Sequence, residues 1–208
     1  MHDHITPEYG WKDNNATCAH AYLLSGIEKA LEDWRSSNEI SQETRLRLFD
    51  AGCGNGYLAH ALAESGYNVA GCDFSKEGVT HARNLLPNSR FEVMSVYDNM
   101  ADLFGKGWDV VLSSEVIEHL YEPGKFIRNV LSLLRPGGLF IVTTPYHGYL
   151  KNLALSLSGK MDQHFTALWD GGHIKFWSLK TLSSLLKKMV LTLKDFTEQV
   201  EFLGFGNL

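Results

Sequence analysis

The chain has 208 residues, with 19 Lys and Arg against 24 Asp and Glu, giving a formal net charge of −5. That length suits one domain, residues 1–208, able to bury about 70% of its unfolded surface without disulfides or a structural metal. The acidic balance weighs against a protein that coats nucleic acid, which needs a basic face. Three cysteines, Cys18, Cys53 and Cys72, are too few and odd in number for a disulfide framework and suit a reducing compartment. The opening Met1-His2-Asp3-His4 lacks the basic and apolar regions of a signal peptide, and no apolar run of about 18 residues occurs. The expectation is a cytoplasmic domain without a transmembrane segment.

Residues 1–15 are polar and turn-rich. From Thr17 the spacing becomes helical, with Ala21, Leu24, Ile27, Ala30 and Leu31 on one face, until Ser36-Ser37-Asn38 breaks it. This predicts an N-terminal helical cap over residues 1–40. Strands and helices then alternate. Residues 46–49 read as a strand running into Asp50-Ala51-Gly52-Cys53-Gly54-Asn55-Gly56, residues 57–64 as a helix, and residues 67–72 as a second strand. A helix over residues 76–86 ends at Pro87, and residues 91–94 form a third strand. Residues 108–112, apolar but for Asp109, read as a strand buried on both faces. A helix over residues 124–134 stops at Arg135-Pro136-Gly137-Gly138, and residues 139–143 make a fifth strand. Residues 145–177 are a long excursion carrying Tyr146, Tyr149, Phe165, Trp169, Phe176 and Trp177, which reads as a substrate lid. The last helix covers residues 179–189, and a sixth strand is expected from Leu191 to about Glu198 or beyond.

Such alternation means βαβ units, hence a largely parallel sheet with helices on both faces. Ligands of these sheets bind beyond the strands' carboxyl ends, which places the chemistry at residues 50–56, 73, 95–98 and 113–119. The glycine turn follows a strand and opens a helix, so its backbone can approach a ligand closely and offer free amides. Tyr57 stands where a dinucleotide turn has its third glycine. Asp50 precedes the turn, and a carboxylate there repels phosphate and suits a cationic ligand. Asp73 ends the second strand, placed to accept from ribose hydroxyls.

These residues resemble the class I S-adenosylmethionine-dependent methyltransferases, over residues 46–144 in order: acidic glycine turn, Asp73, Asp98, and Arg135-Pro-Gly-Gly before the fifth strand. The resemblance implies a Rossmann-like α/β fold with a mostly parallel seven-stranded sheet, its last strand missing or abbreviated because only residues 201–208 remain for it. It implies that Gly52 and Gly54 pass under the methionine part of the cofactor, with Asp50, Cys53, Gly56 and Ser114 among the other cofactor-binding residues. Asp73 would hold the ribose and Asp98 the adenine amino group, with Phe74 and Val96 or Tyr97 flanking the ring. Tyr9, Trp11 and His20 could close over the cofactor from the N-terminal segment.

Beyond the fourth strand stands Glu115-Val116-Ile117-Glu118-His119. On a helix, Glu115, Glu118 and His119 share one face, with Val116, Ile117 and Leu120 toward the core. Two carboxylates and an imidazole together fit a hard or intermediate divalent ion, Mg²⁺ or Mn²⁺. The segment looks like the signature of the ubiquinone-biosynthesis O-methyltransferases (methyltransferase type 11/12), and Gly171-Gly172-His173 is similar to their downstream histidine segment. A related constellation in small-RNA 3′-terminal 2′-O-methyltransferases implies Glu115, Glu118, His119 and His173 as metal ligands. It gives Glu115, His119 and His173 catalytic roles. A metal-free arrangement with His119 as general base is the alternative.

The function implied is O-methylation of a small hydroxylated or aromatic acceptor. An N-methyltransferase, an RNA 2′-O-methyltransferase and a catalytically silent S-adenosylmethionine-binding domain are the other readings. Thr144-Pro145-Tyr146-His147 departs from the Asn-Arg common after the fifth strand in the ubiquinone enzymes, so a catechol acceptor does not follow. Thr143, Tyr146 and His147 are placed to touch a substrate, although no spacing demands it. Leu150, Leu153 and Leu157 form one helical face that fits packing against the core better than contact with a membrane.

Overall fold

The computed structural model describes residues 20–165, 168, 172–192 and 200–202. Tyr9, Trp11, Cys18, Trp169 and the side chain of His20 lie outside the described residues.

Helix α1 (His20–Ser37) buries Leu23, Ile27, Ala30, Leu31 and Trp34, one stripe at helical spacing. The alternation that follows is β1 (Arg47–Ala51), α2 (Tyr57–Glu64), β2 (Asn68–Asp73), α3 (Lys76–Leu85) and β3 (Arg90–Val93). Ser75 caps α3, its Oγ accepting from the Gly78 N–H at 3.1 Å. Helix α4 (Met100–Phe104) leads to β4 (Trp108–Ser114), a 3₁₀ turn (Ile117–His119), α5 (Pro123–Leu133) and β5 (Leu134–Thr143). Pro123 opens α5, where its fixed φ suits the first turn. After β5 come α6 (Tyr149–Ser158), α7 (Met161–Phe165), α8 (Leu179–Thr192) and β6 (Val200–Phe202).

The sheet runs β3-β2-β1-β4-β5-β6, and every pairing is parallel. This is a Rossmann-like α/β fold. Side chains alternate between two cores. Phe49, Val111 and Phe140 meet Met100, Phe126, Ile127, Val130 and Leu186 from α4, α5 and α8. Leu48, Val110, Leu112 and Ile141 meet Leu23, Ile27, Trp34, Leu58 and Leu62 from α1 and α2. Strand order reverses between β1 and β4, so the crevice above their carboxyl ends is the natural ligand site.

Three departures from the sequence reading have physical causes. Strand β5 begins at Leu134, because Leu134 pairs with Trp108 before the Pro-Gly-Gly bulge shifts the register to Val110–Leu139. Helix α8 continues through Leu191 and Thr192, its apolar face carried by Leu182, Leu186 and Met189, so the sixth strand does not begin at Leu191; residues 193–199 of its expected span lie outside the described residues, and β6 is described at Val200–Phe202. It pairs directly and in parallel with β5, and no antiparallel seventh strand is found among the described residues. Helix α4 was not expected. It is one short turn-and-a-half anchored by the fully buried Met100.

Candidate active site

The glycine turn connects β1 to α2. Gly52 and Gly56 take φ of +92° and +81°, a region that side chains disfavour. A Cβ at Gly52 would lie on Val116 Cγ2, so the loop after β4 packs directly against the turn. Asp73 reaches across from the end of β2. Its Oδ2 accepts from the Gly54 N–H at 2.9 Å and its Oδ1 from the Ser75 N–H at 2.8 Å. Burial holds Asp73 above the usual carboxylate range despite those bonds. Asp50 is buried behind it, and burial, then the neighbouring Asp73 charge, raises it from 3.8 to about 7. Burial also pushes the Cys53 and Cys72 thiols up. Two costly carboxylates at this turn fit a ligand that carries positive charge.

The other cofactor candidates share this edge. Phe74 directly follows β2 and is 43% exposed, leaving a ring face available to a planar group. Val96 and Tyr97 are half-buried after β3, and the Asn129 amide donates to the Val96 and Asp98 carbonyls at 3.0 and 2.8 Å, fixing their loop. Asp98 is exposed, and its Oδ2 accepts from the Ser95 N–H at 3.1 Å. Ser114, at the end of β4, lies 3.0 Å from the Thr143 hydroxyl.

Glu115 to His119 do not form the expected α-helix. The Glu115 N–H is drawn to the Thr143 carbonyl and Oγ1, both at 3.2 Å, and Glu115 takes φ of +57°. Only the single 3₁₀ turn follows, so the shared helical face does not exist. Ile117 and Leu120 are buried as expected, with Val116 half-buried on the glycine turn.

Glu118, His119 and His173 nevertheless converge, with ligand atoms all within 4.8 Å of one another. The agent is backbone pairing: the Ile174 and Lys175 N–H groups donate to the Glu118 carbonyl at 3.0 and 2.9 Å, which docks the segment before α8. His119 Nδ1 lies 3.2 Å from the Gly172 carbonyl, so its Nε2 faces inward. Both Nε2 atoms lie 4.0 Å from Glu118 Oε1, with ring centroids 4.9 Å apart. Glu118 is 1% exposed; Thr144 Oγ1 donates to its Oε2 at 3.0 Å, while Oε1 has no partner among the described residues. Burial, then the Glu115 charge, pushes Glu118 well above the carboxylate range. Glu115 stands outside the trio, its Oε1 accepting from Thr143 Oγ1 at 3.1 Å, and burial raises it to about 7. Burial, then the neighbouring imidazoles led by His119, lowers His173 to about 4, leaving it neutral at physiological pH.

An orphaned buried carboxylate oxygen between two imidazole nitrogens is a donor set that fits a divalent ion. Two nitrogens to one oxygen favour Mn²⁺ over Mg²⁺, which prefers oxygen throughout. Thr144, which aims Glu118, was missed from sequence because nothing in its spacing distinguishes it.

Residues 20–193 match the model of a family described as a methyltransferase domain. The chain belongs to that family. It is 38% identical over 128 residues to a ubiquinone biosynthesis O-methyltransferase of Caulobacter sp. (strain K31), covering 60% of this chain and 50% of that protein. The chain spans about half the length of the curated relatives it matches. The plantazolicin methyltransferase BpumL, in complex with a pentazolic desmethylPZN analog and SAH, superimposes with a TM-score of 0.66 at 17% identity, over 86% of this chain and 66% of that one. A SAM dependent methyltransferase from Archaeoglobus fulgidus does so with a TM-score of 0.58 at 15% identity, over 82% and 68%. These likenesses establish the fold. Among the described residues, no helix is long and apolar enough to cross a membrane.

Proposed function

We propose that this domain transfers a methyl group from S-adenosylmethionine to the oxygen of a small hydroxylated acceptor, and that Glu118, His119 and His173 hold a divalent ion beside that oxygen. The observation that carries the reading is the convergence of the trio on one orphaned carboxylate oxygen, next to the acidic glycine turn. The donor supplies a methyl group activated on a positively charged sulfur. Asp50 and Asp73 favour that positive charge, and Asp73 retains free lone pairs for the ribose hydroxyls. The Gly52–Gly56 turn lets the methionine part pass close to the backbone, and Phe74 with Val96 or Tyr97 receives the adenine near Asp98.

At the acceptor side, His173 is neutral, the form in which a ring nitrogen offers its lone pair to an ion. The acceptor oxygen attacks the methyl carbon, its proton passes to solvent, and the carbon–sulfur electron pair returns to sulfur. A divalent ion held by the trio would lower the pKa of the acceptor hydroxyl. Residues 145–177 would cover the acceptor. The two free buried thiols among the described residues, Cys53 and Cys72, agree with a reducing, cytoplasmic setting.

The test is methyl transfer from labelled S-adenosylmethionine to a panel of phenols, with Mn²⁺ and with chelator. Product is expected with Mn²⁺, and Glu118→Gln should lose both Mn²⁺ binding by calorimetry and turnover. Turnover untouched by chelator and by Glu118→Gln would remove the metal from the mechanism. Binding of S-adenosylmethionine with no product on any acceptor would remove the transferase reading.

A further inference from the structure

An open pocket of about 460 Å³ is lined by His147, Asn152 of α6, Met161 and Phe165 of α7, and Phe176. That volume falls within the range that holds one small organic molecule and is too small for a folded partner. Its walls combine two features that seldom occur together without a ligand. Aromatic rings face one another: His147 stacks on Phe165 at 6.0 Å with an interplanar angle of 23°, and Phe176 stands edge-on to His147 at 4.9 Å and to Phe165 at 5.1 Å. Buried polar atoms are also left over. Both ring nitrogens of His147 and Oδ1 of Asn152 have no hydrogen-bond partner among the described residues. Native interiors rarely leave three such atoms unpaired around one space.

The pocket adjoins the acid–histidine trio, since the His147 and His173 ring centroids are 6.3 Å apart. We infer that it is the acceptor's ring pocket, taking an uncharged, compact aromatic molecule whose reacting hydroxyl points to the trio and whose remote hydrogen-bonding group pairs with His147 and Asn152. The planar ring follows from the aromatic wall, whose three rings pack on one another and present their outer faces and edges to offset or edge-on stacking. The remote group must both donate and accept, because a neutral imidazole offers one atom of each kind and the Asn152 oxygen only accepts. It must be uncharged, because the lining carries no cation, and the nearby Lys151 of α6, whose charge reaches His147, is already set against the Glu115 carboxylate. The His147 backbone is fixed by its N–H bond to the Trp177 carbonyl at 3.0 Å, so the imidazole is held in place before any ligand arrives.

The assignment of the reacting hydroxyl rests on the methyl-transfer reading, whereas the pocket chemistry can be read by binding alone. Three probes distinguish its parts: 4-hydroxybenzamide, its charged counterpart 4-hydroxybenzoate, and the non-aromatic 4-hydroxycyclohexanecarboxamide. Calorimetry on the full chain saturated with S-adenosylhomocysteine should show the benzamide binding about tenfold tighter than either of the others. His147→Leu and Asn152→Leu should each remove most of that preference, while S-adenosylhomocysteine affinity stays within about twofold and reports that the variant is folded. Phe165→Ala should weaken the benzamide and leave the cyclohexane compound nearly unchanged. Equal binding of the three probes, or a preference that survives both leucine variants, overturns the pocket assignment and leaves methyl transfer standing. Selective benzamide binding by a protein that never transfers a methyl group would uphold the pocket and overturn the transferase reading instead.

Discussion

Replacing Asp50 with asparagine isolates the electrostatic character of the glycine turn. The Asp50 carboxyl moves from 3.8 to about 7 on folding, through burial and then the Asp73 charge. The folded chain therefore keeps a proton over an interval in which the unfolded chain has released it. Stability from this group is fully present below pH 3.8 and is lost as pH rises through about 7. At about 1.4 kcal/mol per tenfold, the loss across that window is about 3–4 kcal/mol. Asparagine has a similar shape and no titration, so Asp50→Asn should gain stability over the wild type by about that amount between pH 4 and pH 8. Urea unfolding followed by tryptophan fluorescence, without methyl donor, reads the difference directly, since Trp34 and Trp108 are buried. Near pH 4 the two proteins should unfold at nearly the same urea concentration. Parallel stability curves from pH 4 to 8 would refute the shift, and with it the case that this turn is built for a cation.

Asp73→Ala removes the acceptor expected for the ribose hydroxyls. S-adenosylhomocysteine should bind at least about tenfold more weakly by calorimetry, and unchanged affinity would reassign the ribose site. Gly56→Ala places a Cβ 2.7 Å from the Ala82 Cα and Cβ at a φ of +81°. Overpacking and left-handed strain together should cost about 2–4 kcal/mol, a fall in Tm of roughly 5–10 °C by calorimetry, and an unaltered Tm would show that α2 and α3 can move apart at no cost.

Much of the architecture was legible because local signals agreed with one another. The span 57–64 matched α2 residue for residue, since Gly56 starts the helix and Ser65-Gly66 ends it. The apolar run Val110–Leu112 of β4 reads as buried on both faces, and the two cores meet it at Val110 and Val111. Of the candidate quartet, Glu118, His119 and His173 come together and Glu115 does not, and the local geometry was not legible. Glu115, Glu118 and His119 have helical spacing, yet a hydroxyl and a carbonyl of Thr143, 28 residues away in sequence, take the Glu115 N–H out of any helix. Spacing within a segment carries no information about a competitor supplied by another strand. The pocket was still less visible. Phe165 and Phe176 stood out only as members of an aromatic-bearing excursion, and nothing about Asn152 or Met161 in the sequence sets them apart.

The left-handed backbone at Glu115 bears on how this protein responds to selection. An ordinary side chain in that region costs about 1–2 kcal/mol, and glycine there costs far less. Together with the unpaired Glu118 oxygen, it marks the rim of the site as a place where the fold is less stable than its own sequence neighbourhood permits. Stabilising substitutions are therefore most available where the proposed chemistry is concentrated. A directed-evolution campaign scored on heat resistance alone would drift toward glycine at position 115 and an apolar residue at 118, and would yield a sturdier domain without the proposed ligand Glu118.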